Sequence, residues 1–126
     1  MKLSASKIAA IDRGLSSKVE KTRWKSAIAL GEYCKSDPKN VWPLIVKYGS
    51  SRKTDTRTAI ATCVLEHILE YHFDPYFGES LKIVRGGDIR FGRTLAICWK
   101  FGQALKKNNS SRFDRFKKRF SQMAAA

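Results

Sequence analysis

The fold of this chain is decided by the stretch Arg23-Trp24-Lys25-Ser26-Ala27-Ile28-Ala29-Leu30-Gly31-Glu32. Its outline returns at Arg57, which is followed by Ala61 four positions on and by Val64-Leu65-Glu66 where the first copy has Leu30-Gly31-Glu32. A weaker copy starts at Arg93, with Ile97 at the small-residue position. Small residues at these offsets let two helices approach closely, and leucine or valine one turn on fills the seam between them. We therefore predict three related helices.

The first two of these helices are each followed by a turn and a shorter helix. Asp37-Pro38 places an N-cap residue before a proline at the first helical position, and Asp74-Pro75 does the same 37 residues later. The short helices run into Gly49 and Gly86-Gly87, the usual C-terminal stop. This recurrence is an internal repeat.

Apolar residues elsewhere also recur at three and four positions, and no useful length alternates at period two, so we predict an all-α chain. This spacing extends the third long helix from Phe91 to Leu105. A third short helix is expected from Phe113 to Phe120, with Ser110 or Ser111 as its N-cap. The predicted units are a capping helix in residues 1–19, repeats at 20–51, 52–87 and 88–121, and a tail at 122–126.

The pattern in residues 23–32, with its turn at Asp37-Pro38, resembles the first helix of a HEAT-like (armadillo-type) repeat. The resemblance covers about residues 20–120 as three helix pairs. It implies a short α-solenoid, because a two-helix unit cannot bury its apolar face alone and copies must stack. The drifted third copy leaves an irregular helical bundle as the alternative.

Charge is the strongest compositional feature. The chain has 25 Lys and Arg against 11 Asp and Glu, a formal net charge of +14. Residues 54–81 are acidic on balance, whereas the segments on either side of them are strongly basic. An excess of this size governs how the molecule meets a polyanion.

Eight basic residues are predicted at or just before the starts of the long helices. Copies stacked in register would align them along one edge, where they would contact phosphates with little dependence on base sequence. The alternative is a solvated edge on which the three recurring arginines pair with acidic residues of neighbouring repeats. The predicted polyanion-binding residues are Arg23, Lys25, Arg52, Lys53, Arg57, Arg85, Arg90 and Arg93.

A second basic group lies on the C-terminal helix, at Arg112, Arg115, Lys118 and Arg119. Phe113, Phe116 and Phe120 share one face of that helix. Such a basic amphipathic helix can bind a membrane surface or a partner groove. Alternatively, the three rings cover the end of the last repeat and the charges face water.

Catalytic chemistry is not indicated. No serine has a base beside it, and His67, Glu70 and Asp74 share a helical region without the second ligand cluster that a metal site would need. Trp24 and Trp42 could stack on bases, although their spacing favours the core. We expect no metal and no cofactor.

Three cysteines form no disulfide framework, and the N-terminus lacks a signal-peptide core, so buried reduced thiols in the cytoplasm are expected. The sequence thus predicts a non-enzymatic helical-repeat binding module that engages nucleic acid or another polyanion. The alternative is a protein-interaction scaffold whose inner groove, lined by the short helices, takes an acidic or amphipathic partner.

Overall fold

The structure, a computed structural model, describes residues 1–125, in which every regular element is helical. This confirms the all-α prediction. Helix α4 spans 54–71 without interruption and has a π-helical stretch, Ala61–Leu65, between Thr54–Ile60 and Glu66–Tyr71. A 3-10 turn, Gly102–Leu105, precedes the last helix. The other helices are α1 (Ala5–Leu15), α2 (Glu20–Gly31), α3 (Pro38–Gly49), α5 (Phe73–Arg85), α6 (Ile89–Ala96) and α7 (Lys107–Ala125).

Side-chain N-caps account for the starts of two helices. The Ser4 side chain accepts a hydrogen bond from the Lys7 amide, and Asp88 accepts one from the Phe91 amide, so α1 and α6 have side-chain N-caps. Helix α3 begins at Pro38, as predicted. The Asp37 carboxylate, however, caps no backbone amide of its own helix but accepts a hydrogen bond from the Leu3 amide at 2.9 Å, which fixes the N-terminal residues against α3.

Two predicted N-caps are wrong. Helix α5 begins at Phe73, so Asp74 and Pro75 lie in its first turn, where a missing N–H costs no helical hydrogen bond. Helix α7 begins at Lys107, which places Ser110 and Ser111 inside it. It continues to Ala125, so most of the predicted tail at 122–126 is helical, and Ala126 lies outside the described residues.

The third long helix is shorter than predicted. Helix α6 ends at Ala96, and residues 97–101 form a loop in which Trp99 is 72% exposed. Long-range hydrogen bonds hold this loop: the Trp99 amide donates to Glu66 of α4 at 2.9 Å, and Gln103 bonds to the Phe73 amide at 2.9 Å. The Glu66 carboxylate thus satisfies the Trp99 amide, which a longer α6 would otherwise satisfy, and Gln103 satisfies the first amide of α5.

The long helices lie against one another in chain order. Helix α2 packs against α1 on one side and α4 on the other, and α6 packs against the first half of α4. Helices α3, α5 and α7 are joined by aromatic rings: the ring centroids of Trp42 in α3 and Tyr76 in α5 are 5.0 Å apart, and those of Phe77 in α5 and Phe113 in α7 are 5.3 Å apart. The core lies between these two sets of helices.

The π-helical stretch of α4 is contacted by the segments that follow α2 and α6. The Cys34 thiol donates to the Val64 carbonyl at 3.3 Å, and the Cys98 thiol approaches the Ala61 carbonyl at 3.6 Å. Both cysteines are buried and free, as predicted, whereas Cys63 is half-buried. No helix within residues 1–125 is both long and apolar enough to cross a membrane.

Candidate binding surfaces

Arg23 is the first of the predicted polyanion ligands that the structure removes from the surface. Only 8% of the Arg23 surface is exposed. One terminal nitrogen lies 3.0 Å from the Asp55 carboxylate, and the other donates to the Ser17 carbonyl at 2.9 Å. Hydrogen bonds from Trp24 and Arg23 lower the pKa of the Asp55 carboxyl. The guanidinium is therefore committed to a contact between α2 and α4.

Arg57 occupies the equivalent position on α4 and is also 8% exposed. Its guanidinium donates to the Ser51 carbonyl at 2.7 Å, the Arg52 carbonyl at 3.2 Å and the Thr54 hydroxyl at 3.3 Å. Arginine supplies several donors in a fixed fork, which suits the unpaired carbonyls of the turn that precedes a helix. Predicting Arg23 and Arg57 as ligands was therefore wrong, because both guanidinium groups hold the turns that begin their own helices.

The other six predicted ligands are exposed: Lys25, Arg52, Lys53, Arg85, Arg90 and Arg93. Within residues 1–125, the ion pairs involve other cations, namely Arg23, Lys47, Lys82, Lys100 and Arg112. The charges of the six exposed residues are thus available to a partner.

The starts of the three long helices meet at one edge. The Arg23–Asp55 pair joins the start of α2 to that of α4. The Ser50 hydroxyl, at the beginning of the turn that leads from α3 to α4, donates to Asp88 at the start of α6 at 2.6 Å. Five of the exposed cations belong to these helices or the turn before α4, and we call them the basic edge: Lys25, Arg52, Lys53, Arg90 and Arg93.

Arg93 faces the neighbouring helix start. It lines a shallow depression of about 320 Å³ together with Thr54 and Thr58 of α4. Two of the carboxylates near this edge are already bonded within the chain, since Asp55 accepts from Arg23 and Asp88 from Ser50. The carboxylates of Glu20 and Asp88 also lie at these helix starts and form none of the ion pairs within residues 1–125, so the five exposed cations outnumber the unpaired carboxylates there.

Arg85 belongs to a different surface, a groove between α5 and α7 of about 560 Å³. Three of the four predicted cations of the C-terminal helix line the same groove, while Lys118 is exposed outside it. We call this surface the α5–α7 groove. Its basic residues are Lys82, Arg85, Arg112, Arg115 and Arg119, and its apolar residues are Phe77, Leu81, Val84, Phe116, Phe120 and Met123.

The basic residues of the groove differ in whether they form ion pairs within the chain. Arg112 lies 2.7 Å from Asp74, and its guanidinium sits over the rings of Phe73 and Phe77 at 5.5 and 5.3 Å. Lys82 pairs with Glu79 at 3.2 Å. Arg85, Arg115 and Arg119 are exposed and take part in none of the ion pairs found within residues 1–125. These three arginines place unpaired positive charge around the apolar residues of the groove, which we call its floor.

The two surfaces adjoin at Phe120, which lines both the groove and the depression beside Arg93. Phe113, Phe116 and Phe120 are buried, and Phe113 packs against Phe77 of α5. Lys82 and the aliphatic residues of the groove were not predicted from the sequence. The signal was present, because Gly78, Leu81 and Arg85 recur at helical spacing and so lie on one face of α5.

The aromatic and histidine candidates have intramolecular roles. The Trp24 indole donates to Asp55 at 3.0 Å, and Trp42 packs on Tyr76 and Phe91. His67 lies 3.0 Å from Glu70. His72 bonds to the Lys35 carbonyl at 2.9 Å. Among the described residues, no group of three or more His, Cys, Asp or Glu is placed to hold a metal ion.

Comparison of this chain with protein-family models, with curated proteins and with solved structures finds no match.

Proposed function

We propose that this chain is a non-enzymatic, HEAT-like helical-repeat module of the cytoplasm that binds the backbone of nucleic acid through the basic edge. The repeat units would be the pairs α2–α3, α4–α5 and α6–α7, stacked as a short solenoid with α1 as its cap. Contacts of α2 and α6 with α4, and the aromatic contacts of α5 with α3 and α7, support this arrangement.

One observation carries the proposed function: three helix starts distant in the sequence meet, and exposed cations are concentrated where they meet. Phosphate contacts by Lys and Arg release condensed counterions, so they give binding that weakens steeply with salt and reads little sequence. Trp24 and Trp42 are occupied by contacts within the chain, which favours backbone contacts over base stacking.

The proposed role is binding alone. His67 and His72 are engaged with Glu70 and a backbone carbonyl. Burial raises the pKa of the Cys34 thiol to about 12. A thiol so rarely ionised is a poor nucleophile. Three free cysteines also suit a reducing compartment.

The test is fluorescence anisotropy with a labelled duplex of about 20 base pairs and a single strand of the same length, titrated across a salt series. The variant Arg52→Gln/Lys53→Gln/Arg93→Gln removes three charges of the basic edge. If each residue contacts one phosphate, the slope of log affinity against log salt falls by roughly 2–3 on the duplex.

The matched control is Lys39→Gln/Lys106→Gln/Lys107→Gln. These exposed lysines begin α3 and α7, at the opposite end of the helices, where His72 meets Lys35 and Asn109 meets Gln103. The control should keep most of the salt slope. An absence of binding at low salt, or equal losses in the two triple variants, would refute the basic edge as the site.

A further inference from the structure

We propose that the α5–α7 groove is a docking site for an acidic amphipathic helix of a partner protein. This inference goes beyond the proposed function and rests on different residues. The basic edge lies at the starts of α2, α4 and α6, whereas the groove is built from the exposed faces of α5 and α7.

The dimensions of the groove fit a short helix. Its lining runs from Phe77 to Arg85 on α5 and from Arg112 to Met123 on α7. At about 1.5 Å of rise per residue these segments are roughly 12–17 Å long, the length of two to three helical turns. A helix laid between two others buries one apolar face with anchors at i, i+3 or i+4 and i+7.

The floor offers aliphatic and sulfur surface to such anchors. Leu81 and Val84 are only partly buried, and Met123 is 50% exposed. Methionine adapts its shape to different apolar partners, which suits a surface that receives leucine, isoleucine or phenylalanine side chains.

The rim specifies the charge of the partner. Arg85 stands on the α5 side, and Arg115 and Arg119 stand on the α7 side, so cations flank the floor from both helices. A helix with an apolar stripe bordered by Glu or Asp would place carboxylates against both rims. Charge complementarity of this kind steers association and rejects basic partners.

The floor favours a protein over nucleic acid. Phe77 is fully buried, and Phe116 and Phe120 are 9% and 7% exposed, so their faces are not open for bases to stack on. A base pressed onto Leu81 and Met123 would lose water from its polar edge without gaining hydrogen bonds there. A leucine side chain meets the same surface without that penalty.

The probe is a fluorescein-labelled peptide of about 14 residues, helical by design, with leucines at i, i+3, i+7 and i+10 and glutamates beside them. A scrambled peptide of equal composition lacks the apolar face and serves as the ligand control. In anisotropy titrations of the full chain, the helical peptide should bind and the scrambled peptide should bind at least about tenfold more weakly.

Two sets of variants test the two halves of the site. Arg85→Glu/Arg115→Glu/Arg119→Glu reverses three exposed charges without touching the core and should weaken binding by more than about tenfold. Met123→Ser, on the floor, should weaken it severalfold. The same charge change at Lys39→Glu/Lys106→Glu/Lys107→Glu is the control and should have a much smaller effect.

The outcomes separate this proposal from the one for the basic edge. Arg52→Gln/Lys53→Gln/Arg93→Gln should keep peptide binding in the groove even as its salt slope for duplex falls. Equal binding of the two peptides overturns the groove proposal, as does an absence of binding up to about 1 mM peptide. Loss of duplex binding in the rim variant, with peptide binding unchanged, would assign the groove to nucleic acid instead.

Discussion

The Arg23 guanidinium lies 3.0 Å from the carboxylate of Asp55, a residue 32 positions later in the chain. The pair joins the first turns of α2 and α4, and the Trp24 indole donates to the other oxygen of the same carboxylate at 3.0 Å. The Arg23 side chain is 10% exposed, and its Nε atom has no hydrogen-bond partner among the described residues. This contact fixes how two of the long helices lie against each other.

Replacing the guanidinium should therefore destabilise the fold. We expect Arg23→Met to lower the free energy of unfolding by about 1–3 kcal/mol, because the Ser17 carbonyl and one oxygen of Asp55 lose their donors. Urea denaturation followed by circular dichroism measures the change. Arg93→Met, at an exposed site of the third copy, should change stability by less than about 0.5 kcal/mol. Equal effects of the two substitutions would contradict the structural role of Arg23.

The recurring arginines show what could be predicted from sequence. Their spacing predicted that a helix begins near each arginine, as helices α2, α4 and α6 do at Glu20, Thr54 and Ile89. It did not give the direction of each side chain. Arg23 and Arg57 turn back to the carbonyls of Ser17 and Ser51, and that choice depends on which backbone groups the preceding turn leaves unpaired.

Gly31 lies at a close approach of α2 to the backbone of α4. A Cβ atom built there would lie 2.1 Å from the Cys63 carbonyl oxygen, a backbone atom that cannot rotate away. Gly31→Ala should therefore lower the free energy of unfolding by about 1–3 kcal/mol.

Gly78, in the middle of α5, is the matched control for that substitution. A Cβ atom there meets nothing within 4 Å, so Gly78→Ala should raise stability by up to about 1 kcal/mol through helix propensity. Thermal unfolding of both variants gives the comparison. A neutral or stabilising Gly31→Ala would mean that the two helices do not cross at Gly31.

The α5–α7 groove could be predicted only in part. The spacing of Phe113, Phe116 and Phe120 placed the three rings on one face of the last helix, and the structure shows that this face is buried. Arg85 could not be assigned to the same surface as Arg115, because a groove between two helices exists only once their packing is known. The loop at 97–101 could not be predicted for the same reason, because Trp99 bonds to Glu66, which lies 33 positions away in the sequence.

Glu66 gives stability a dependence on pH. Burial raises the pKa of its carboxyl above the ordinary value of 4.5, while the hydrogen bond that the carboxylate accepts from the Trp99 amide lowers it. Because the pKa of Glu66 is higher in the folded chain than in the unfolded chain, protonation of its carboxyl stabilises the fold. This stabilisation is fully present below about pH 4.5 and is lost as the pH rises through the pKa of the folded chain.

Glu66→Gln should remove that dependence. The amide oxygen can still accept from Trp99, so stability near pH 4 should change by less than about 0.5 kcal/mol, whereas at higher pH the variant should be the more stable protein. Glu66→Ala leaves the Trp99 amide without its partner and should cost about 1–3 kcal/mol. Urea titrations at several pH values measure all three proteins, and parallel pH profiles for the wild type and Glu66→Gln would be the contrary result.

The three thiols should differ in reactivity because they differ in burial. Burial raises the pKa of Cys34 to about 12 from an ordinary 9.0, so roughly a thousandfold less of it is ionised at a given pH. Burial also raises the pKa of Cys98 well above its ordinary value, and Cys63 is half-buried. Brief treatment of the native chain with iodoacetamide at about pH 8 should label Cys63 first, and peptide mass spectrometry reads out each site.

In concentrated guanidinium chloride all three thiols should react alike, which would show that packing and not local sequence protects Cys34 and Cys98. Native labelling of Cys34 or Cys98 as fast as Cys63 would mean that the helices flanking the π-helical stretch open readily, contrary to the contacts of both thiols with its carbonyls.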